Sequence, residues 1–378
     1  MTFAVVAKSA QSRARLGQMA LRHGRVDTPA FMPVGTQATV KTLTPAELEA
    51  AGAQIVVCNT YHLYLRPGHE RIRRLGGVAR FMGWNRPVLT DSGGYQVYSL
   101  AALSRVTDEG VEFQSHIDGS RHRFTPESVV AIQQALGSDI MMCLDECPGF
   151  PAGRQVAEMA VNRTTFWARR SRLVGQDGGV LFGIVQGATY PDLRRRSAEE
   201  LVELDFPGYA IGGLCLGEPS ALTYELTGQV AALLPGDRPR YLMGAGYPDD
   251  IVAAVRCGID LFDCVLPTRN GRTGTAFTVA GRVAIRNAAH ADDPGPLDAG
   301  CGCYACRAFS RAYLRHLFIA GEALGPKLLT LHNVWFYQRL MQEIRASLAA
   351  GRFEEWADGF LNRYRDGSRE REEDVLDA

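Results

Sequence analysis

Short, near-continuously apolar runs recur along the chain, each followed by a stretch whose apolar residues repeat at helical spacing. Eight stand out, at 31–35, 54–59, 87–91, 139–145, 180–186, 209–213, 241–244 and 260–263. Strands with one wet face alternate apolar and polar residues. These runs do not, which predicts parallel strands covered on both sides. Between them, Thr44-Pro45-Ala46-Glu47 and Thr125-Pro126-Glu127-Ser128 each set a capping hydroxyl before a first-turn proline and an early acid, the start signal of a helix. Further helices are predicted at 157–173, 191–204, 221–234 and 248–257. Eight strands alternating with helices predict a (β/α)8 TIM barrel; an open, doubly wound sheet is the alternative with the same pattern.

Two segments break the rhythm. Residues 111–123 alternate around an Asp118-Gly119 turn and read as an inserted hairpin. Residues 271–286 look like further strands and lead into a cysteine cluster, after which 328–349 reads as a long amphipathic helix. The expected organisation is a barrel core over 1–270, a zinc-binding insertion over 271–335, and a C-terminal helix packing on the barrel with a charged tail over 336–378. The tail, 365–378, reads as a solvated end.

With 378 residues and 46% hydrophobic content the chain can bury a large core. Its formal net charge is zero, so a nucleic-acid partner would need a local basic patch. No apolar run approaches a membrane span and Met1-Thr2-Phe3-Ala4 has no signal-peptide pattern, so a cytoplasmic protein is expected. Of nine cysteines, Cys58, Cys143, Cys147, Cys215, Cys257 and Cys264 are scattered and read as small buried thiols. The other three crowd into Cys301-x-Cys303-x2-Cys306. Three thiolates and one imidazole make a closed tetrahedral Zn2+ shell, hence a structural ion. His332, after 25 intervening residues, is one source of the imidazole, and His316 competes with it.

In a barrel of this kind the active site lies at the C-terminal ends of the strands. Asp91, Asp145, Gln186, Gly213, Met243 and Asp263 all fall at or near such ends. A single acid there would be read as a cap or an ion pair. Three acids at equivalent ends point to chemistry, with one carboxylate as nucleophile and another moving a proton. Ser92-Gly93-Gly94-Tyr95 lets backbone approach a ligand and offers a ring to stack. Gln186 and an acid can read a purine edge, and Gly212-Gly213-Leu214 presents bare backbone groups. The loop at 267–272 sets Arg269 and Arg272 near Asp263, for phosphate or base contact. Arg194-Arg195-Arg196 reads as a solvated helix face, with a phosphate patch as the alternative.

These segments, together with Asp145-Glu146-Cys147, Tyr241-Leu242-Met243-Gly244, Phe262-Asp263-Cys264-Val265-Leu266-Pro267-Thr268-Arg269-Asn270 and the cysteine pattern, closely resemble the bacterial tRNA-guanine transglycosylases along nearly the whole chain. The resemblance implies a zinc-carrying barrel that exchanges the wobble guanine of GUN-anticodon tRNAs, and it assigns the fourth metal ligand to His332. By position it implies Asp263 as the nucleophile on ribose C1′ and Asp91 as the acid and then base. Asp145, Cys147, Gln186 and the Gly213 N–H would bind the base, with the Leu214 carbonyl on its aminomethyl group. Ser92, Gly93 and Gly94 would line the pocket, and Tyr95 and Met243 would sandwich the ring. Gly244, Ala245, Gly246, Tyr247, Pro248, Asp249 and Asp250, with Thr268, Arg269, Asn270, Gly271 and Arg272, would face the anticodon loop. Cys147 marks the bacterial form, so the implied incoming base is 7-aminomethyl-7-deazaguanine (preQ1), in a homodimer with one zinc per subunit. One departure is Cys215-Leu216, where bacterial members usually carry Ala-Val; a bulky Leu216 implies exclusion of full queuine. Rival readings are a barrel glycosidase, a DNA-acting 7-deazaguanine transferase and a non-catalytic RNA-binding subunit. The last of these would lack the two acids present here.

Overall fold

The computed structural model describes residues 1–96, 104–175 and 178–376, the side chains of 365–376 excepted. Eight strands, Ala30–Gly35, Val56–Cys58, Val88–Thr90, Ile140–Met142, Val180–Val185, Tyr209–Ile211, Arg240–Leu242 and Leu261–Cys264, close into a parallel barrel in chain order. The eighth pairs with the first, Leu261 opposite Ala30 and Cys264 opposite Pro33, which rules out the open sheet.

Side chains alternate across the barrel wall. Met32, Leu89, Ile140, Phe182, Ile184, Ala210, Tyr241 and Leu261 fill the interior. Their neighbours Phe31, Met141, Leu181, Leu242 and Phe262 pack outward into the helical layer. Each such fully buried large side chain contributes ~1.5–3 kcal/mol. The same period of two positions the chemistry: Asp91, Gln186, Met243 and Asp263 each lie two residues beyond an inward residue, Leu89, Ile184, Tyr241 and Leu261.

The opposite mouth is closed by an antiparallel sheet that the sequence pattern did not reveal, Thr2–Lys8, Arg15–Leu21 and Gly24–Thr28. Its Met19 and Val26 join the barrel interior. Arg15 forks onto Asp260 at 2.9 and 2.6 Å, and Asp139 accepts from the His23 and Val88 backbone N–H groups, each at 2.9 Å. Acids at strand starts are therefore structural here, and those at strand ends are free for chemistry.

The insertion after the third strand contains the expected hairpin, Gly110–Gln114 paired antiparallel with Arg121–Phe124, and adds a further strand, Ser104–Thr107, to make a three-stranded sheet. Its first strand is polar and half-exposed and so carries no apolar alternation. The 267–272 segment, expected as a loop, is the helix Leu266–Thr273. Pro267 suits its first turn, and Gly271 lets it lie against the long helix Leu324–Ala349, where an added Cβ would come 2.6 Å from Thr330 Cα. That long helix is buried on most sides rather than amphipathic. Its Gln338 donates to the Phe31 carbonyl at 3.1 Å and its Tyr337 to the Gly246 carbonyl at 2.5 Å, tying it to the barrel. The expected solvated tail is mostly helix, Phe353–Leu376; residues 377–378 lie outside the described residues. Among the described residues no helix is long and apolar enough to cross a membrane.

Candidate active site

Asp91 follows the third barrel strand, and its carboxylate is gripped from the end of the second. Asn59 donates to Oδ2 at 2.5 Å and the Thr60 N–H to Oδ1 at 3.0 Å. Despite both bonds, burial and then the negative charge of Asp263 push its pKa up to about 7. Asp263 is also raised by burial, opposed by the Tyr241 hydroxyl and the Gly244 N–H. Both donors converge on one oxygen, Oδ1, at 2.6 and 3.0 Å. Among the described residues Oδ2 accepts no hydrogen bond and stays available. Both residues are half-buried. A carboxyl pushed to about 7 suits an acid–base group, and a carboxylate with one anchored and one open oxygen suits a nucleophile.

Asp145 lies beside this pair and is 8% exposed. Ser92 Oγ donates to its Oδ1 at 3.1 Å and Gln186 Nε2 to its Oδ2 at 2.8 Å, while burial raises its pKa. Gln186 is fully buried, and its Oε1 has no partner. That oxygen lies against Gly213, where φ is +65° and an added Cβ would come within 2.4 Å of it, so only glycine fits. Cys147, its thiol pushed up to about 12 by burial, completes this side. A 330 Å³ cavity opens beside it, lined by Gly94, Asp145, Glu146, Cys147, Phe150 and Trp167.

Two residues here were missed or misread in the sequence. Arg194 is not part of a solvated face; it is 1% exposed and donates to the Ala188, Gly212 and Gly213 carbonyls. Glu218 accepts from the Cys215 N–H at 2.5 Å, the Leu216 N–H at 2.9 Å and the Thr223 hydroxyl at 2.7 Å. The carbonyl of a trans peptide opposes its N–H. Because Glu218 holds the Cys215 N–H, the Leu214 carbonyl points the other way. No sequence signal distinguishes Glu218 from a surface acid; Arg194 could have been suspected from its place one turn into the helix Pro191–Glu203, after the Gln186 strand end.

Tyr95 is 47% exposed, while Met243 is half-buried and packs on the barrel interior. Of the segments expected to face RNA, Gly244, Tyr247 and Arg269 are exposed, and Asp249, Asp250, Asn270 and Arg272 are half-buried. Ala245, Gly246, Pro248, Thr268 and Gly271 are buried and carry the backbone of these segments.

The zinc candidates converge. Ligand atoms of Cys301, Cys303, Cys306 and His332 all lie within 4.8 Å of one another. His332 Nδ1 sits 3.7, 3.6 and 3.3 Å from the three sulfurs, close to the ~3.5 Å edge of a tetrahedron with Zn–S and Zn–N bonds of usual length. Its Nε2 is 2.8 Å from the Phe277 carbonyl, which fixes the tautomer that leaves Nδ1 free for a metal. His316 is exposed on the helix Arg311–Ala320 and is no part of the cluster. A closed Cys3His set fits zinc.

A family model described as Queuine tRNA-ribosyltransferase matches residues 9–366. The Queuine tRNA-ribosyltransferase of Desulforudis audaxviator is 57% identical over 361 residues, 95% of this chain and 97% of that protein. The protein of the same name from Pelotomaculum thermopropionicum is 56% identical over 366 residues, 96% of this chain and 99% of that one. The barrel, its rim carboxylates and the Cys3His cluster all lie inside these matches, and the chain belongs to the queuine tRNA-ribosyltransferase family of pentosyltransferase enzymes.

Proposed function

We propose that this enzyme exchanges the wobble guanine of GUN-anticodon tRNAs for preQ1, in queuosine biosynthesis, through a covalent ribosyl–Asp263 intermediate. The observation that carries this reading is the unlike state of the two rim acids. Burial and the neighbouring Asp263 push the Asp91 carboxyl up to about 7, and Asp263 has one anchored and one free oxygen. Asp263 Oδ2 attacks ribose C1′, the C1′–N9 bond breaks with its electron pair on the base, and Asp91 supplies the proton to the departing guanine. In the second half Asp91 takes a proton from preQ1, whose ring nitrogen attacks C1′ and releases Asp263. Each half restores the other's starting state, which implies ping-pong kinetics.

The base is held edge-on. Its N1–H and 2-amino donors meet Asp145, its 6-oxo acceptor meets the Gly213 N–H, and the Leu214 carbonyl faces the aminomethyl group. Tyr95 and Met243 cover the ring faces. The target nucleotide must leave its stack to reach a rim this deep, and an anticodon loop permits that. Gly244, Tyr247, Arg269 and Arg272 hold the loop beside Asp263. Assembly as a homodimer, one zinc per subunit and a cytoplasmic location belong to the same proposal.

The test is mass analysis of tRNA after incubation with preQ1 or with queuine. A preQ1-dependent mass shift confined to GUN-anticodon tRNAs supports the reading; label appearing only in duplex DNA overturns it. Asp263→Asn should abolish a covalent RNA adduct on a denaturing gel while zinc content is unchanged. A surviving adduct removes the nucleophile assignment.

A further inference from the structure

Arg194 is a fully buried cation that the reaction above does not use. It belongs to the helix Pro191–Glu203, yet its guanidinium reaches back under two successive strand ends. Nε donates to the Ala188 carbonyl at 2.6 Å, both terminal nitrogens to the Gly212 carbonyl at 3.1 Å, and Nη2 to the Gly213 carbonyl at 2.9 Å. No carboxylate pairs with it among the described residues. Burial of an unpaired guanidinium is costly enough to pull its pKa down to about 10. A group held at such cost, with only carbonyls as partners, is doing geometric work on those carbonyls.

The direction of that work follows from peptide planarity. The Gly212 carbonyl and the Gly213 N–H belong to one trans peptide and point in opposite directions. Anchoring the carbonyl on the Arg194 side turns the Gly213 N–H to the other side. There it faces the Cys147 sulfur, where it partly offsets the burial that raises that thiol. Among the described residues that N–H has no other acceptor. The residue is glycine at φ +65°, so without an anchor this peptide would be free to rotate and present its carbonyl.

We propose that Arg194 is a positioning residue of the base pocket: it fixes the Gly212–Gly213 peptide with its N–H toward the base and thereby selects bases that carry an acceptor at position six. With Glu218 it forms a complementary pair. Arg194 holds carbonyls and leaves a donor facing the pocket, and Glu218 holds N–H groups and leaves the Leu214 carbonyl facing it. The pocket therefore shows adjacent backbone donor and acceptor, each set by a buried side chain of opposite charge. Selection by a buried, pre-aimed donor is strong because a base lacking the acceptor leaves that donor unpaired.

The inference rests on the base-exchange reading, and the experiment separates the two. Binding of free guanine and of 2-aminopurine, which lacks the 6-oxo group, is measured by calorimetry on the full-length zinc protein and on Arg194→Ala and Arg194→Lys. If the unsubstituted protein binds no guanine, the base-exchange reading fails. If it does bind, Arg194→Ala should weaken guanine binding about tenfold, the worth of one hydrogen bond, while 2-aminopurine binding changes less than twofold. Arg194→Lys, which keeps the charge and part of the donor set, should lie between. It also supplies the answer should the alanine variant fail to fold. A guanine to 2-aminopurine ratio that stays constant in the folded variants overturns the proposal, since a merely structural role would weaken both bases together.

Discussion

Asp91 and Asp263 face each other across the barrel mouth as unequal partners: the charge on Asp263 is one of the causes that hold the Asp91 proton up to about pH 7, after burial itself. Burial outweighs the donors on both carboxylates. Asp263 takes the Tyr241 hydroxyl and the Gly244 N–H on one oxygen; Asp91 takes Asn59 and the Thr60 N–H on two, and carries in addition the repulsion of Asp263.

The first prediction concerns pH. Base departure needs Asp91 protonated and Asp263 ionised, so single-turnover guanine release should fall as pH rises through about 7 and fall again at low pH. Asp91→Asn should slow release by roughly 10²–10⁴-fold, the usual worth of a proton-transfer group. Stability should move in the opposite direction. The folded-state pKa of Asp91 lies above its unfolded value, so the cost of its charge is absent below about pH 4, grows between pH 4 and 7, and is complete above pH 7. Thermal unfolding should show Asp91→Asn more stable than the unsubstituted protein at pH 8 and equal to it at pH 4. Equal melting at both pH values would contradict the shift.

Tyr241→Phe gives the second. The phenol donates to Asp263 Oδ1 at 2.6 Å and favours the charged carboxylate. Removing it should raise the Asp263 pKa further and move the acidic limb of the pH–rate profile upward. A hydrogen bond to a charged group is worth ~1.5–3 kcal/mol, so kcat should drop about tenfold or more. KM for tRNA should change little, because the phenol is buried beneath the carboxylate and out of reach of a bound RNA. An unmoved acidic limb would show that Asp263 does not set it.

The barrel was legible because its strands are apolar on both faces, a pattern that survives in sequence without any knowledge of contacts. The rim acids were legible for the same reason, since an aspartate closing an apolar run stands out. The sheet under the barrel was not, because Thr2–Lys8 alternates between exposed and half-exposed residues and looks like surface. Arg194 was misread because an arginine triplet looks solvated. Only the fold shows that Arg194 turns inward beneath Gly212, while its neighbour Arg195 is exposed. Glu218 was invisible, because its role consists of holding backbone N–H groups three and two residues before it. The metal site lay between these cases: cysteine spacing exposed three ligands, but the choice between His332 and His316 needed the family resemblance or the coordinates.

Glu218 carries the third prediction. Its carboxylate takes the Cys215 and Leu216 N–H groups and is held below the ordinary glutamate range, where the Thr223 hydroxyl and those N–H groups outweigh burial. Glu218→Gln replaces one accepting oxygen with a donor that repels the N–H it faces, so the Leu214–Cys215 peptide loses its fixed sense. If the aminomethyl group of preQ1 meets the Leu214 carbonyl as proposed, preQ1 should bind roughly tenfold more weakly, a loss comparable to one charge-assisted hydrogen bond. Guanine, which has no group there, should bind within about twofold of the unsubstituted value, below what one hydrogen bond is worth. Competition binding of the two bases reads the difference. Equal losses for both would mean that Glu218 only supports the fold.

The last prediction follows the metal site to the helix proposed to face RNA. His332 sits among the three cysteines and meets the Phe277 carbonyl through Nε2. Its neighbour Asn333 donates to the Pro267 carbonyl at 3.0 Å and the Thr275 carbonyl at 2.9 Å and accepts from the Phe277 N–H at 3.0 Å. The ion would therefore lock one turn of the helix Leu324–Ala349, and the next residue on that turn holds the helix Leu266–Thr273, which carries Arg269 and Arg272. Cys306→Ser should lose the zinc, measured by elemental analysis, and lower the melting temperature by several degrees, because binding energy at such a site is folding energy. Its effect on function should be selective. KM for tRNA should rise roughly tenfold, as a displaced arginine forfeits one or two charged contacts, while calorimetric binding of free guanine stays unchanged, because Asp145, Gln186 and Gly213 belong to other strand ends. Asn333→Ala should reproduce the rise in tRNA KM with zinc retained. If guanine binding fell in step with tRNA in both variants, the metal would be supporting the whole barrel rather than the RNA-facing helix.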